Sequence, residues 1–146
     1  EAHAISACSL IELARHAQPH MERHSTITAL AYLGAVRAIP SYHVMGPAKA
    51  SLESIVRGLA LEMAPVRVNA VSAGPLNTVA AKGGIANFGA MRQEMQERAP
   101  LGNVTADEVA DMVSFLSMGG TGITGQTINV DGRYSIVGGP AVDSDL

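Results

Sequence analysis

Arg67-Val68-Asn69-Ala70-Val71-Ser72-Ala73-Gly74-Pro75 is the stretch on which the fold reading turns. Its apolar run, from Val66 to Val71, reads as a buried strand. Ser72-Ala73-Gly74-Pro75 then closes it in a tight turn, and ligands of open α/β sheets sit outside strand ends of this kind. Upstream, Tyr42 and Lys49 lie seven residues apart in a segment that reads as one long helix from about Ser41 to Met63. Seven residues are about two helical turns, so both side chains should share a face. A phenol beside an ammonium has its ionised form favoured by the neighbouring charge.

Working outward, Ile5 to about Ala17 carries a helical apolar stripe of Ile5, Cys8, Leu10, Ile11 and Ala14, and Pro19 marks its end. Ser25 to Ala31 reads as a strand, and Leu33 to Pro40 as a loop. Residues 76–98 begin rich in Gly and Ala and turn helical at Phe88, Met91 and Met95. Such a segment is weakly pinned by its own packing and is expected to act as a lid. Thr105 and Glu108 form a capping box for a helix reaching Leu116. Thr127 to Val130 is a third strand, Asp131 caps the turn that follows, and Gly138 to Leu146 is expected to be loose.

Strands alternating with helices imply an α/β fold, a parallel sheet with helices on both faces, in one domain spanning residues 1–146. Three strands are few for such a sheet and would leave an open edge. The others are expected from an absent N-terminal half, a second polypeptide or exchange within an oligomer. The chain opens on Glu1 rather than Met, which suggests a fragment or a processed chain.

Composition narrows the function classes. Hydrophobic residues make up 47% and charged residues 16%, so a packed core is expected rather than disorder. Net charge is −3 without long runs of one sign, which argues against a nucleic-acid-binding face. No apolar run reaches the ~18 residues of a membrane span. The single Cys8 cannot form an internal disulfide and is expected to pack as a small apolar side chain, in keeping with a reducing compartment such as the cytoplasm. His16, His20 and His24 have the spacing of a helical metal site, but Pro19 interrupts that helix, so solvated surface is the expected setting.

Tyr32, Tyr42 and Lys49, with Ser72-Ala73-Gly74-Pro75, Thr78-Val79-Ala80-Ala81, Ile85 and Val130-Asp131-Gly132, closely resemble the C-terminal part of the NAD(P)-dependent enoyl-acyl-carrier-protein reductases. These are a branch of the short-chain dehydrogenase/reductases. That branch spaces its catalytic Tyr and Lys as Tyr-x6-Lys, with a second Tyr ten residues earlier, where the wider superfamily uses the shorter Tyr-x3-Lys. Pro47 departs from the family, which usually has an aliphatic residue there. The resemblance implies a Rossmann-like three-layer fold lacking its N-terminal strands. It implies reduction of the carbon–carbon double bond of an enoyl thioester in fatty acid synthesis, with NADH, or NADPH, as hydride source.

Residue by residue, the resemblance assigns to Tyr42 the hydrogen bond to the developing oxyanion. Lys49 would hold the nicotinamide ribose, and Tyr32 would lie beside the thioester. Ala73, Gly74, Pro75 and Leu76 would set backbone against the nicotinamide, and Thr78 would meet a cofactor phosphate, although a helix cap is an equal alternative for Thr78. Ile85, Phe88 and Met91 would line the acyl channel, against the competing reading of Phe88 and Met91 as core. The thioester carrier would be acyl-carrier protein or coenzyme A, and the assembly a homotetramer. No glycine-rich phosphate-binding turn follows a first strand in this chain. An inactive, truncated homologue serving as an oligomerisation module is the alternative, and a reductase of another carbonyl or alkene substrate is disfavoured by the Tyr-x6-Lys spacing.

Overall fold

A computed structural model describes residues 1–139. Three parallel strands form its sheet, in the order β1 (Thr26–Tyr32), β2 (Arg67–Ala73) and β3 (Thr127–Val130). The register runs from Thr26 opposite Arg67 to Tyr32 opposite Ala73, and from Ala70 opposite Thr127 to Ala73 opposite Val130. All C-terminal strand ends therefore meet at one edge. β2 is central and every residue after Arg67 is buried, as its near-continuous apolar sequence requires.

Side chains of successive β2 residues point to opposite faces, and the two faces build two cores. Val68 and Ala70 pack with Leu52, Val56 and Ala60 of α2 (Met45–Glu62) and with Ala14 of α1 (Ser9–Ala17). Val71 and Ala73 pack with Val109 and Leu116 of α5 (Ala106–Met118). The result is the expected three-layer sandwich. Thr105 caps α5 as anticipated: its Oγ1 accepts from Glu108 N and the Glu108 carboxylate accepts from Thr105 N. Asp131 also caps its turn, Oδ1 and Oδ2 accepting from Arg133 N and Ser135 N.

Buried polar groups tie the third strand to the second. Asn69 is fully buried on β2; its Nδ2 donates to Ile123 O, and its Oδ1 accepts from Gln126 N. Arg67 reaches across to the end of α5, donating to Leu116 O and Gly120 O. The Leu116 carbonyl is one that a helix end leaves free, and Gly120 lies in the turn that follows. The outer edge of β1 has no paired strand among the described residues. Thr26 Oγ1 and Thr28 Oγ1 are buried there without a partner, and Leu30 is 53% exposed.

Two expectations are corrected. The long helix starts at Met45, not Ser41. Ser41 and His43 adopt φ of 60° and 36°, which no right-handed helix can contain. Pro47 is then the third residue of α2, within the first turn where N–H groups have no helical partner, so it breaks no bond. Cys8 is exposed rather than packed. The first helical segment, a π turn over Ala4–Cys8, directs Ala7 into the core and leaves Cys8 and Ile5 outside. Of the expected loose tail, residues 140–146 lie outside the described residues. No helix among the described residues is long and apolar enough to cross a membrane.

Candidate active site

The C-terminal ends of β1 and β2 gather most of the expected residues. Tyr32 is the last residue of β1. Tyr42 sits in the irregular turn before α2, its N–H donating to Ile39 O and its carbonyl accepting from Met45 N. Helical periodicity therefore does not align Tyr42 with Lys49; the turn does. The Tyr42 ring lies on the backbone of Gly34, where an added Cβ would stand 2.5 Å from Tyr42 Cδ1 and 3.5 Å from Tyr32 Cδ1. The two phenol rings pack edge to face with centroids 5.0 Å apart. Lys49, in the second turn of α2, donates from Nζ to Leu30 O at 2.9 Å.

A cavity of about 410 Å³ opens between these groups. Tyr32, Tyr42 and Lys49 line one side. Ala73, Gly74, Pro75 and Leu76 line the other, followed by Thr78 and Ile85. Gly74 N donates to Val130 O, and an added Cβ would come within 3.3 Å of Asp131 Cα, so a side chain here would press the turn away from β3. Thr78 caps α3 (Val79–Gly84), accepting from Ala81 N at 3.1 Å, which is the helix-cap role weighed against phosphate binding. The hydroxyl hydrogen is left free for another acceptor.

A second cavity of about 340 Å³ shares Tyr32 as a wall. Met91 and Met95 of α4 (Phe88–Arg98) face it, with Ile39 and Tyr134. The Tyr32 hydroxyl donates to Met91 Sδ at 3.5 Å. Phe88 is buried and lines a separate hollow beside Ile85 and Asn77, so it is not brought to either cavity. α4 is tied to the strand-end turn by Arg92 Nη1, which donates to Pro75 O at 2.9 Å.

Burial dominates the electrostatics. It pushes the Tyr32 phenol up to about 12, with further upward pushes from the negative charges that Tyr42 and Tyr134 would carry. Burial also raises Tyr42 and lowers Lys49. Desolvation, and not the expected stabilisation of a Tyr42 phenolate by Lys49, sets the direction. Both phenols keep their protons near neutral pH and are available as hydrogen-bond donors. Two O–H donors beside an ammonium can stabilise negative charge developing on a substrate oxygen. No cluster of metal-ligating side chains occurs among the described residues.

Sequence reasoning missed Tyr134, Met95, Glu94 and Ile39 as cavity walls. Tyr134 had one available signal: it follows the Val130-Asp131-Gly132 turn, which leads off the sheet at the same edge as Tyr32.

Known proteins share both the sequence and the fold of this chain. The family model described as Enoyl-(Acyl carrier protein) reductase matches residues 1–135. The NADH-type enoyl-acyl-carrier-protein reductase of Neisseria meningitidis serogroup B is 52% identical over 140 residues, covering 92% of this chain and 53% of that protein. The Bacillus cereus reductase is 46% identical over 138 residues, covering 92% and 54%. A crystal structure of the Bacillus cereus enzyme with NADP+ and indole naphthyridinone superposes with a TM-score of 0.88 at 45% identity, over 93% of this chain and 54% of that one. The Plasmodium berghei enzyme with triclosan gives 0.91 at 33% identity, over 94% and 50%. The chain spans about half the length of the relatives it matches.

Proposed function

We propose, since this chain belongs to the enoyl-(acyl carrier protein) reductase family, that it carries the catalytic and acyl-binding half of a reductase. The reaction is reduction of the double bond of an enoyl thioester in fatty acid synthesis. The observation that carries this reading is the single cavity at the strand ends that Tyr32, Tyr42, Lys49 and the Ala73–Thr78 turn share.

The residues fit the nicotinamide end of a dinucleotide. Ala73, Gly74 and Pro75 present backbone without bulk, and Lys49 supplies an ammonium at the cavity wall. A bound NADH, or NADPH, would supply hydride to the β-carbon of the substrate. Charge then gathers on the thioester oxygen, Tyr42 donates a hydrogen bond to that oxygen, and a proton taken up from solvent at the α-carbon completes the reduction. Lys49 keeps the local field positive and holds ribose hydroxyls. Tyr32 stands beside the thioester, its weak bond to Met91 sulfur readily given up to a stronger acceptor. Thr78 offers its hydroxyl to a phosphate. Ile85 and Met91 bound the acyl space, and residues 76–98 act as the lid. The substrate carrier is acyl-carrier protein or coenzyme A.

The open edge of β1 supports completion of the sheet by further strands in the active enzyme. Ile5, Ile11, Leu13 and Leu61, exposed on the helical layer, support assembly into a homotetramer. The test is titration of NADH and NADPH against the 146-residue chain, alone and with the N-terminal half of a related reductase, followed by enoyl-thioester reduction. Saturable binding and turnover on complementation are expected. A folded, complemented enzyme that binds neither nucleotide would overturn the reading.

A further inference from the structure

The chain has three tyrosines and no tryptophan, and all three tyrosines converge on one place. Tyr32 and Tyr42 pack against each other, and Tyr134 lines the second cavity together with Tyr32. Tyr134 opens a short 3-10 turn, Tyr134–Ile136, beyond β3. Its N–H donates to Asp131 O at 3.2 Å, so the Asp131 turn sets its backbone.

Its ring is set from α4. The Arg98 guanidinium carbon lies 5.5 Å from the Tyr134 ring centroid. That guanidinium is held on two sides: Nη1 donates to Glu94 Oε1 at 2.9 Å, and Nη2 donates to Gly139 O at 3.0 Å. Glu94 is itself a wall of the second cavity. A planar guanidinium forks to two acceptors in a fixed plane while its face lies on a ring, a rigid arrangement that the flexible point charge of an ammonium does not hold. A partly exposed ion pair adds little to stability. Three contacts converge on the guanidinium, and one of them is the Tyr134 ring, so the two hydrogen bonds that fix the guanidinium also fix the ring. α4 also carries Met91, which meets the Tyr32 hydroxyl, so one helix governs both phenols.

We propose that Arg98 is a positioning residue that pins Tyr134 against the cavity shared with Tyr32 and thereby sets the space open to the acyl part of a substrate. The acyl clause rests on the reductase reading; the pinning does not.

The test is a tyrosine titration by NMR on ring-labelled chain, where three ring systems report the whole site. Tyr42 and Tyr134 face Tyr32 with titratable groups, Lys49 lines the first cavity, and Arg98 and Glu94 stand about Tyr134. Loss of a resonance in Tyr32→Phe assigns Tyr32. In Tyr134→Phe the ring stays but its charge is gone, so Tyr32 should titrate at lower pH. Arg98→Met has two opposed effects. Loss of the positive charge alone would move Tyr32 to higher pH, whereas release of Tyr134 from the cavity moves it lower.

The proposal expects the lower value in Arg98→Met. It also expects the lower value in Arg98→Lys, which keeps the charge but lacks the rigid planar fork, and no further fall when Arg98→Met is added to Tyr134→Phe. An unchanged or higher Tyr32 titration in Arg98→Met, or an equal fall in the Tyr134→Phe background, overturns it. Circular dichroism checks the fold, and Arg98→Lys carries the same comparison if Arg98→Met does not fold. In the complemented enzyme, Arg98→Met should change KM several-fold for long relative to short enoyl chains, with kcat nearly unchanged. An equal change at every chain length overturns the acyl clause. A wild-type enzyme without turnover counts against the reductase reading alone, because the titration reads the pinning by itself.

Discussion

Tyr32 and Tyr42 meet edge to face, with ring planes inclined 66° and centroids 5.0 Å apart, and Gly34 is the floor beneath both. The pair is held by packing, since neither hydroxyl bonds the other among the described contacts. Strand β1 delivers one ring and a turn with two positive φ angles delivers the other. Small changes in that floor should therefore act on chemistry before they act on the fold.

Gly34→Ala tests this. The new Cβ cannot coexist with the Tyr42 ring where it lies, so the ring must swing away. In the complemented reductase kcat should fall about 10²-fold, as for a reacting group misplaced by about 1 Å. Tyr42→Phe, which keeps the ring and removes the donor, should cost about 10²–10³-fold. Steady-state rates measure both, and near-ultraviolet circular dichroism of the 146-residue chain in the tyrosine band, which no tryptophan overlies, reports the ring shift. Full activity in Tyr42→Phe would remove Tyr42 from the proposed mechanism.

Alkaline stability should depend on Tyr32. Its folded-state value of about 12 lies above the ordinary 10.0. Between those values the folded chain holds a proton that the unfolded chain has lost, so stability is full below about pH 10 and declines as pH rises toward 12. Tyr42, also raised, acts in the same direction. Denaturant unfolding from pH 9 to 12 should show this decline in the wild-type chain and a shallower one in Tyr32→Phe. Equal slopes would mean that the Tyr32 phenol is not buried as described.

Gly74→Ala should destabilise the sheet edge. The added methyl meets Val104 Cγ2 at 3.1 Å and Asp131 Cα at 3.3 Å. Val104 can give a little, but the Asp131 backbone is fixed by the bond from Gly74 N to Val130 O at 2.8 Å. The expected cost is about 1–3 kcal/mol, read from urea unfolding. A neutral result would show that β3 can slide away from the turn.

Arg133→Gly should do the reverse. Arg133 holds φ of 72°, a left-handed conformation that costs a side-chain-bearing residue about 1–2 kcal/mol. Glycine adopts it freely but loses about 0.5–1 kcal/mol of chain entropy. The net expectation is a gain of up to about 1.5 kcal/mol, visible as a higher midpoint of thermal unfolding. A lower midpoint would assign Arg133 a stabilising contact that outweighs its backbone.

The residues that made the fold legible were those whose local pattern matched their final environment. Val66 to Val71 is apolar because β2 is buried on both faces, and Thr105 with Glu108 caps a helix with neighbours three residues away. Tyr42 was legible as a site residue but not as a turn residue, because positive φ at Ser41 and His43 leaves no mark in a pattern of apolar spacing. Asn69 and Arg67 were read only as parts of an apolar strand. Their partners, Ile123, Gln126, Leu116 and Gly120, lie some 50 residues away in sequence, and no local rule connects them.

The sequence by itself determined the alternation of strands and helices and the burial of β2, which follow from side-chain periodicity and from where parallel strands must end. It joined Tyr32, Tyr42, Lys49 and the Ala73–Thr78 turn only through their resemblance to a reductase family; the cavity they share is a product of the tertiary structure. Only the tertiary structure decided that Tyr134 joins the two other phenols, that Phe88 turns into a separate hollow, and that Cys8 faces outward. Each depends on how one element is rotated against another, and that rotation is settled by packing between residues far apart in the chain.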